Sequence, residues 1–268
     1  MDRTLTSIKN PLVSTIRTLG DPRHRRVEQR LVVEGVRMLE EVLDAGVAVD
    51  VLLYDPTLRD HARATRVLER ARTAGIRLIP AHPRVIAACS QVKTPQGMIA
   101  VVHEPRVDLA SVLGARQLLL VVADRLQDPG NLGSLIRIAD AAGATAVAVT
   151  AGSVDPYHAK VVRATAGSLF HLPVIPVIPE AAIPLLLTHR VRIFAADQAG
   201  TVDYTEVDYR PPVALVVGNE GEGLDQQWIA AATATIRIPH YGRADSLNVA
   251  VAAGILLYEA QRSAHLTR

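Results

Sequence analysis

The fold is decided by QLLLVVADRLQDPGNLGSLIRIADAAGATAVAVT, residues 117–150. It opens with a run, 117–123, that is apolar at almost every position and therefore predicts a central strand covered on both faces. Apolar residues at helical spacing predict a helix over 131–142, and residues 146–150 predict a second strand. This order is typical of a parallel sheet with helices on its faces.

The alternation of strands and helices continues to the end of the chain. The pattern predicts helices at 156–166, 181–189 and 247–262, an extended stretch at 172–179, and strands at 191–196, 213–217 and 235–238. Together these elements predict an α/β domain over 117–268 with a doubly wound parallel sheet.

A smaller α/β/α unit precedes it. Strands are predicted at 31–34, 51–54, 76–79 and 98–102, with helices at 35–45 and 57–74. The segment HEPRVDLASVLGAR, 103–116, interrupts the pattern with Pro105 and mixed polarity, so we expect a linker there. The expected domains are residues 1–104 and 117–268.

Composition excludes several classes of protein. Among 268 residues, 49% are hydrophobic and 21% charged, which is enough apolar material for a core. The single cysteine, Cys89, forms neither an internal disulfide nor a cysteine-based zinc site. No apolar run approaches the ~20 residues that span a bilayer, and the first residues lack a signal core. We expect a cytoplasmic protein with no metal and no membrane contact.

The charge is concentrated near the N-terminus. Residues 1–30 hold seven Arg or Lys and three acidic residues, a net +4 within a chain whose total is +2. Such an arm suits a polyanion, and the candidate RNA contacts are Lys9, Arg23, Arg25 and Arg26. The alternative is a solvated basic face without a partner.

Three motifs follow predicted strands. In the first, DPGNLGSLIR (128–137), Asn131 is expected to cap the helix, and Arg137 lies among apolar neighbours. That cation either belongs to a functional site or reaches solvent, with Asp140 as a possible partner.

The second motif is GNEGEG, residues 218–223. Its glycines allow backbone to approach a ligand, but its spacing matches neither G-x-G-x-x-G nor a P-loop. Glu220 and Glu222 would repel phosphate, so the loop suits a neutral or cationic ligand such as a sulfonium compound. A tight turn with solvated acids is the alternative.

The third motif is IPHYGRADSLNV, residues 238–249. Ser246 is expected to cap a final helix that is apolar nearly all round and therefore buried. Asn248 then needs partners, because an unpaired buried amide costs ~1–3 kcal/mol. Structural capping alone is the alternative.

Together the motifs resemble the SpoU (TrmH-like) branch of the SPOUT RNA methyltransferases. The likeness rests on N-x-G-x-x-x-R at 131–137, G-x-E-G-x-G at 218–223 and the third motif, and it covers 117–262. The stretch KVVRATAGS, 160–168, is also similar. IKNP (8–11) and LVVEG (31–35) resemble the ribosomal-protein-L30e-like substrate domain of members that modify ribosomal RNA.

The resemblance implies a trefoil-knotted α/β domain that binds S-adenosylmethionine and dimerises through the knot, so that each site draws on both chains. The implied reaction methylates a ribose 2′-hydroxyl of 23S rRNA. The implied cofactor contacts are Thr150, Gly218, Asn219, Ile238 and Leu247, and the implied catalytic residues are Asn131, Arg137, Glu220, Ser246 and Asn248.

Family accounts give Arg137 a part in deprotonating the hydroxyl. A guanidinium stays protonated, however, so clamping an RNA phosphate or stabilising the forming alkoxide is physically preferable. Three rival hypotheses remain at this point: a nucleotide-dependent oxidoreductase, a non-enzymatic RNA-binding factor, and transfer RNA as the substrate.

Overall fold

The computed structural model describes residues 4–219 and 221–266. The chain divides into two compact units. The first comprises Met1–Pro105 and Tyr157–Phe170, and the second comprises Arg106–Pro156 and His171–Arg268. None of the described helices combines the length and the apolar content needed to cross a membrane.

The first unit is built on a four-stranded sheet. In chain order its elements are α1 (Pro11–Thr18), α2 (Pro22–Glu28), β1 (Arg30–Glu34), α3 (Val36–Asp44), β2 (Val49–Tyr54), a 3₁₀ helix (Pro56–Asp60), α4 (Ala62–Thr73), β3 (Arg77–Pro80), α5 (Pro83–Cys89) and β4 (Met98–His103). The strand order is β1-β4-β2-β3. Strand β4 is antiparallel to β1 and β2, and β3 is parallel to β2.

One face of this sheet packs against α1 and α5. Val13, Ile16, Ile86 and Val101 are among its buried residues. Cys89 lies in the same core, and burial raises the pKa of its thiol to about 11. It is therefore a protonated core residue at neutral pH.

The basic N-terminal segment forms helices rather than an arm. Each of α1 and α2 starts with proline, and Asn10 and Asp21 cap them by accepting backbone N–H bonds. The position of Arg25 corrects its prediction as an RNA contact. Its side chain is only 3% exposed, and its Nη1 donates to the carbonyls of Leu19 and Gly20 at 3.2 and 3.1 Å. Arg25 therefore supplies hydrogen bonds to the backbone carbonyl groups at the carboxyl end of α1.

The second unit contains a seven-stranded sheet. Its elements are α6 (Leu109–Leu113), β5 (Leu119–Asp124), α7 (Pro129–Ala141), β6 (Ala146–Thr150), β7 (Val174–Val177), α9 (Pro179–Thr188), β8 (Arg192–Ala196), β9 (Val202–Asp203), a 3₁₀ helix (Tyr204–Glu206), β10 (Val213–Gly218), α10 (Gln226–Ala231), β11 (Ala234–Arg237) and α11 (Val249–Leu266). The order is β7-β6-β5-β10-β8-β11-β9, and every pair is parallel. The predicted parallel sheet is confirmed, whereas the knot stays a prediction.

Two segments differ from the expected domain boundaries. The predicted linker contains α6, whose Leu109, Val112 and Leu113 are buried in the core of the second unit. The sequence pattern did not predict this short helix, because Pro105 and the polar residues around it are typical of a linker. The domain assignment itself stays a proposal.

The segment that connects β6 to β7 is grouped with the first unit. It contains α8 (Ala159–Ala164) and a 3₁₀ helix (Ser168–Phe170). The Tyr157 hydroxyl donates to the carbonyl of Pro105 at 2.8 Å. At Gly167, φ is +108° and an added Cβ would lie 2.3 Å from Cγ of Glu41, so only glycine fits there.

Candidate active site

A cavity of about 280 Å³ opens at the carboxyl edge of the large sheet. The ends of β8, β10 and β11 meet at this edge, where ligands of parallel sheets characteristically bind. The lining residues are Ala196, Asp197, Gln198, Val217, Gly218, Asn219, Gly223, Leu224, Ile236, Ile238, His240, Ser246, Leu247, Val249 and Ala252. The cavity therefore joins the second and third sequence motifs.

The glycine-rich loop after β10 forms one wall. The Asn219 side chain organises it, because its Oδ1 accepts the N–H groups of Gly221 and Glu222 at 2.8 and 3.2 Å. A Cβ added at Gly218 would lie 2.8 Å from the carbonyl oxygen of Gly223, so the turn closes only over glycine. Glu220, a predicted catalytic residue, lies outside the described residues.

A buried carboxylate helps to hold this loop in place. Asp124, at the end of β5, is 1% exposed. It accepts the Thr150 hydroxyl at 2.9 Å and the Asp225 N–H at 2.8 Å. The Nδ2 of Asn219 in turn donates to the carbonyl of Arg125 at 3.1 Å. The loop is thus tied to the ends of β5 and β6.

This network corrects the prediction for Thr150 as a cofactor contact. Its hydroxyl donates to Asp124 and accepts the Arg125 N–H at 2.9 Å, and Thr150 is not among the cavity-lining residues. Thr150 is only 3% exposed, which fits a structural role for its side chain. The other four predicted cofactor contacts, Gly218, Asn219, Ile238 and Leu247, all line the cavity.

The first and third motifs meet through two asparagines. Nδ2 of Asn248 donates to Oδ1 of Asn131 at 2.8 Å. Sequence spacing of 117 residues gives no sign of this pair. It explains why both motifs carry asparagine, since the amide can donate to one partner and accept from another.

Both predicted helix caps are wrong by a few residues. Asp128 caps α7 by accepting the Asn131 N–H at 2.8 Å, because Pro129 occupies the first helical position. Asn248 caps α11 by accepting the N–H groups of Ala250 and Val251 at 3.0 and 3.3 Å. Asn248 is also exposed rather than buried, and Ser246 is an exposed residue of the cavity wall.

Arg137 lies apart from the cavity of its own chain. It is exposed on α7 and does not line the cavity. It lies six positions after Asn131, about 9 Å further along the helix axis and on another face. Among the predicted catalytic residues that the structure describes, the fold thus brings Asn131, Ser246 and Asn248 to one region and leaves Arg137 pointing outward.

Sequence reasoning missed the contribution of the loop after β8. Ala196, Asp197 and Gln198 form a wall of the cavity, and Oδ1 of Asp197 accepts the Ala199 N–H at 2.8 Å. A usable signal was present, because these residues follow a buried parallel strand whose carboxyl end must reach the ligand edge. His240 was also missed, although it lies within the third motif.

The cavity fits S-adenosylmethionine. Apolar side chains such as Leu224, Ile238 and Leu247 can cover an adenine ring, and the lining residues include the carboxylate of Asp197 but neither Lys nor Arg. This charge pattern favours a sulfonium cation over a phosphate-bearing ligand. Within residues 4–219 and 221–266, no group of three or more His, Cys, Asp or Glu side chains could hold a metal ion.

Comparison with known proteins agrees with this site. The model of the SpoU rRNA methylase family matches residues 118–258, and that of the MRM3-like substrate binding domain matches residues 10–100. The fold and site therefore define an S-adenosylmethionine-dependent RNA methyltransferase. The chain belongs to the SpoU rRNA methylase family.

Its relatives extend over nearly the whole chain. The 23S rRNA (guanosine(2553)-2′-O)-methyltransferase RlmP of Bacillus subtilis is 35% identical over 95% of this chain and 97% of its own. The 23S rRNA (uridine(2479)-2′-O)-methyltransferase of Streptomyces viridochromogenes is 34% identical over 91% of this chain and 86% of its own. An AdoMet-bound rRNA methyltransferase from Sinorhizobium meliloti superposes with a TM-score of 0.87 at 34% identity, covering 97% of both chains.

Proposed function

We propose that this protein transfers a methyl group from S-adenosylmethionine to one ribose 2′-hydroxyl of 23S rRNA. The observation that carries the proposal is the cavity at the carboxyl edge of the sheet, where the second and third motifs meet and to which the Asn131–Asn248 pair connects the first. Both named relatives methylate a 2′-oxygen of 23S rRNA. For a chain like these bacterial relatives, such a substrate also implies a cytoplasmic location.

The chain's own residues position the reactants. S-Adenosylmethionine supplies, when bound, a methyl group activated by a sulfonium charge. Gly218, Ile238 and Leu247 shape the adenosine wall, and the Asn131–Asn248 bond ties the first motif to the segment that carries the lining residues Leu247 and Val249. Methyl transfer forms an O–CH₃ bond, breaks the S–CH₃ bond and releases the hydroxyl proton, which a substrate phosphate can accept. Arg137 stabilises the developing oxyanion or holds that phosphate.

Arg137 acts in the site of a partner copy. It is exposed and does not line the cavity of its own chain, so we place it in the site of the other chain of a homodimer. The exposed face of α11 supports such a dimer, because Val251 and Tyr258 are 50% and 58% exposed on one side of an otherwise packed helix. Ile138, next to Arg137, packs near Gly254 of α11, so the cation emerges beside this apolar face.

The two relatives methylate the ribose of different nucleotides, a guanosine and a uridine, at nearly equal identity to this chain. Overall identity therefore does not indicate which nucleotide this chain modifies, and we assign target choice to the first unit, where the model of a substrate binding domain matches residues 10–100. Its low aromatic content, 3% over the whole chain, favours recognition of RNA by shape and phosphate contacts over base stacking.

A transfer assay tests the proposed chemistry. Purified protein is incubated with methyl-labelled S-adenosylmethionine and unmodified 23S rRNA transcript, and the RNA is then hydrolysed with alkali. We expect the label in alkali-resistant dinucleotides, because a 2′-O-methyl group blocks cleavage of the next bond. Label recovered in mononucleotides would mean that a base is methylated, and no label would contradict the activity.

A further inference from the structure

A loop of the first unit is held in place by an inward-facing carboxylate. Glu34, at the end of β1, accepts the Ser90 hydroxyl at 2.9 Å and the N–H groups of Gln91 and Gln96 at 3.4 and 3.2 Å. Residues 91–97 thus receive a fixed conformation although they contain no helix or strand. Ordered loops on a rigid scaffold commonly carry binding residues.

Two glycines show how closely the loop is packed. At Gly35, φ is +101° and an added Cβ would lie 2.0 Å from Oε1 of Gln96, so the Gln96 side chain crosses directly over Gly35. At Gly97, φ is +77° and an added Cβ would lie 2.8 Å from Cδ1 of Leu58. These two contacts hold the carboxyl end of the loop, and the Glu34 bonds to Ser90 and Gln91 hold its start. Its residues Gln91, Lys93, Thr94 and Gln96 are exposed.

Three exposed cations belong to this loop or to the elements beside it. Lys93 belongs to it, and Arg37 follows Gly35 in the first turn of α3. Arg17 lies in the last turn of α1. The turn after α1 also reaches the loop, since a Cβ on Gly20 would lie 3.3 Å from Nε2 of Gln91.

These three cations are not neutralised by ion pairs with described residues, so their charges can attract an anionic ligand. Within the described parts of the chain, none of Arg17, Arg37 and Lys93 forms an ion pair, and the Glu34 oxygens face loop donors. Helix α4 carries more arginines, but two of its four are neutralised by α3: Arg63 pairs with Glu40, and Arg70 pairs with Asp44 at 2.6 Å.

We propose that residues 91–97 together with Arg17 and Arg37, which we call the loop surface, bind the RNA backbone. The inference rests on the proposed function and identifies the part of the first unit that holds the substrate. Guanidinium, ammonium, amide and hydroxyl groups suit phosphates and 2′-hydroxyls. A protein partner is less suited, because protein interfaces need an apolar or aromatic centre that the exposed loop residues lack.

Matched triple variants test the loop surface. One variant carries Arg17→Ala, Arg37→Ala and Lys93→Ala, and its control carries Arg66→Ala, Arg72→Ala and Arg77→Ala, three exposed cations elsewhere in the same unit. Binding to 23S rRNA transcript is measured across a salt series. We expect the loop variant to bind about 100-fold more weakly at 0.1 M salt, with a log–log slope shallower by roughly 2, and the control to match wild type.

The control variant and the methylation assay together distinguish failure of this inference from failure of the proposed function. If wild type methylates RNA but the loop variant and the control variant bind that RNA equally well, the proposed role of the loop surface is wrong. The proposed methyltransferase activity is then unaffected. If wild type transfers no methyl group, the proposed function fails instead. Hydrogen exchange adds a second readout: RNA should protect the amides of residues 91–97 and leave those of α4 unchanged, and the reverse pattern would overturn the proposal.

Discussion

Replacing Arg137 with alanine should lower kcat for methyl transfer by about 100- to 1000-fold, the usual cost of removing one preorganised electrostatic group from a transition state. Affinity for S-adenosylmethionine should not change, because Arg137 does not line the cavity of its own chain. Single-turnover kinetics with labelled cofactor and calorimetric titration measure the two quantities. Arg163→Ala, which removes another exposed arginine, is the control. Near-normal turnover in the Arg137 variant would contradict its role.

A heterodimer decides which copy supplies Arg137. One chain carries Arg137→Ala, the other carries Gly218→Val, and differently tagged copies are co-expressed and purified as the mixed dimer. If Arg137 acts in the partner's site, one of the two sites is complete and roughly half of the wild-type rate per dimer should return. If it acts within its own chain, both sites are defective and the heterodimer stays inactive.

Replacing Gly218 with valine should weaken S-adenosylmethionine binding by about 100-fold, near the upper end of what overpacking costs. The added Cβ meets both the Gly223 carbonyl oxygen and Cδ2 of Leu224 at 2.8 Å, so the loop that forms the cavity wall must move. Calorimetric titration measures the affinity, and thermal unfolding shows whether the fold survives.

Gly114→Val is the matched control for this change. Gly114 has a φ of −78°, and nothing lies within 4 Å of a Cβ added there. Its cofactor affinity should equal that of wild type. Normal binding by a folded Gly218 variant would show that the cavity at the carboxyl edge is not the cofactor site.

The sheet was predictable because parallel strands buried on both faces have a distinctive pattern. Runs such as 119–123 and 213–217 are apolar at successive positions, and each lies in a central strand. The cofactor wall was predictable for a related reason, since glycines at the carboxyl end of a parallel strand let backbone approach a ligand at the edge where ligands bind. These features depend on residues close together in the chain.

Features that depend on distant residues were not predictable. Asn131 looked like a helix cap until the fold placed Asp128 at the cap and Asn248 beside the Asn131 side chain. Arg25 looked like one member of a basic cluster, but α2 folds back and buries it against the end of α1. In both cases the residue type suggested a polar role, and only the tertiary structure determined the partner.

The division into units also limits what a deletion of the N-terminal residues can show. Residues Tyr157–Phe170 pack with the first unit, and Val161, Val162, Leu169 and Phe170 are buried. Deleting residues 1–104 would expose these apolar side chains, so loss of activity in the truncated chain would have two explanations. Point variants on the loop surface avoid that problem, because all three change exposed side chains.

The most direct measurement of the central claim is a map of ribose methylation along 23S rRNA from cells with and without this protein. The account predicts that one 2′-O-methyl group disappears in its absence, returns with the wild-type chain and does not return with the Arg137→Ala chain. An unchanged map of 23S rRNA, or a lost methyl group on a base or on transfer RNA, would contradict it.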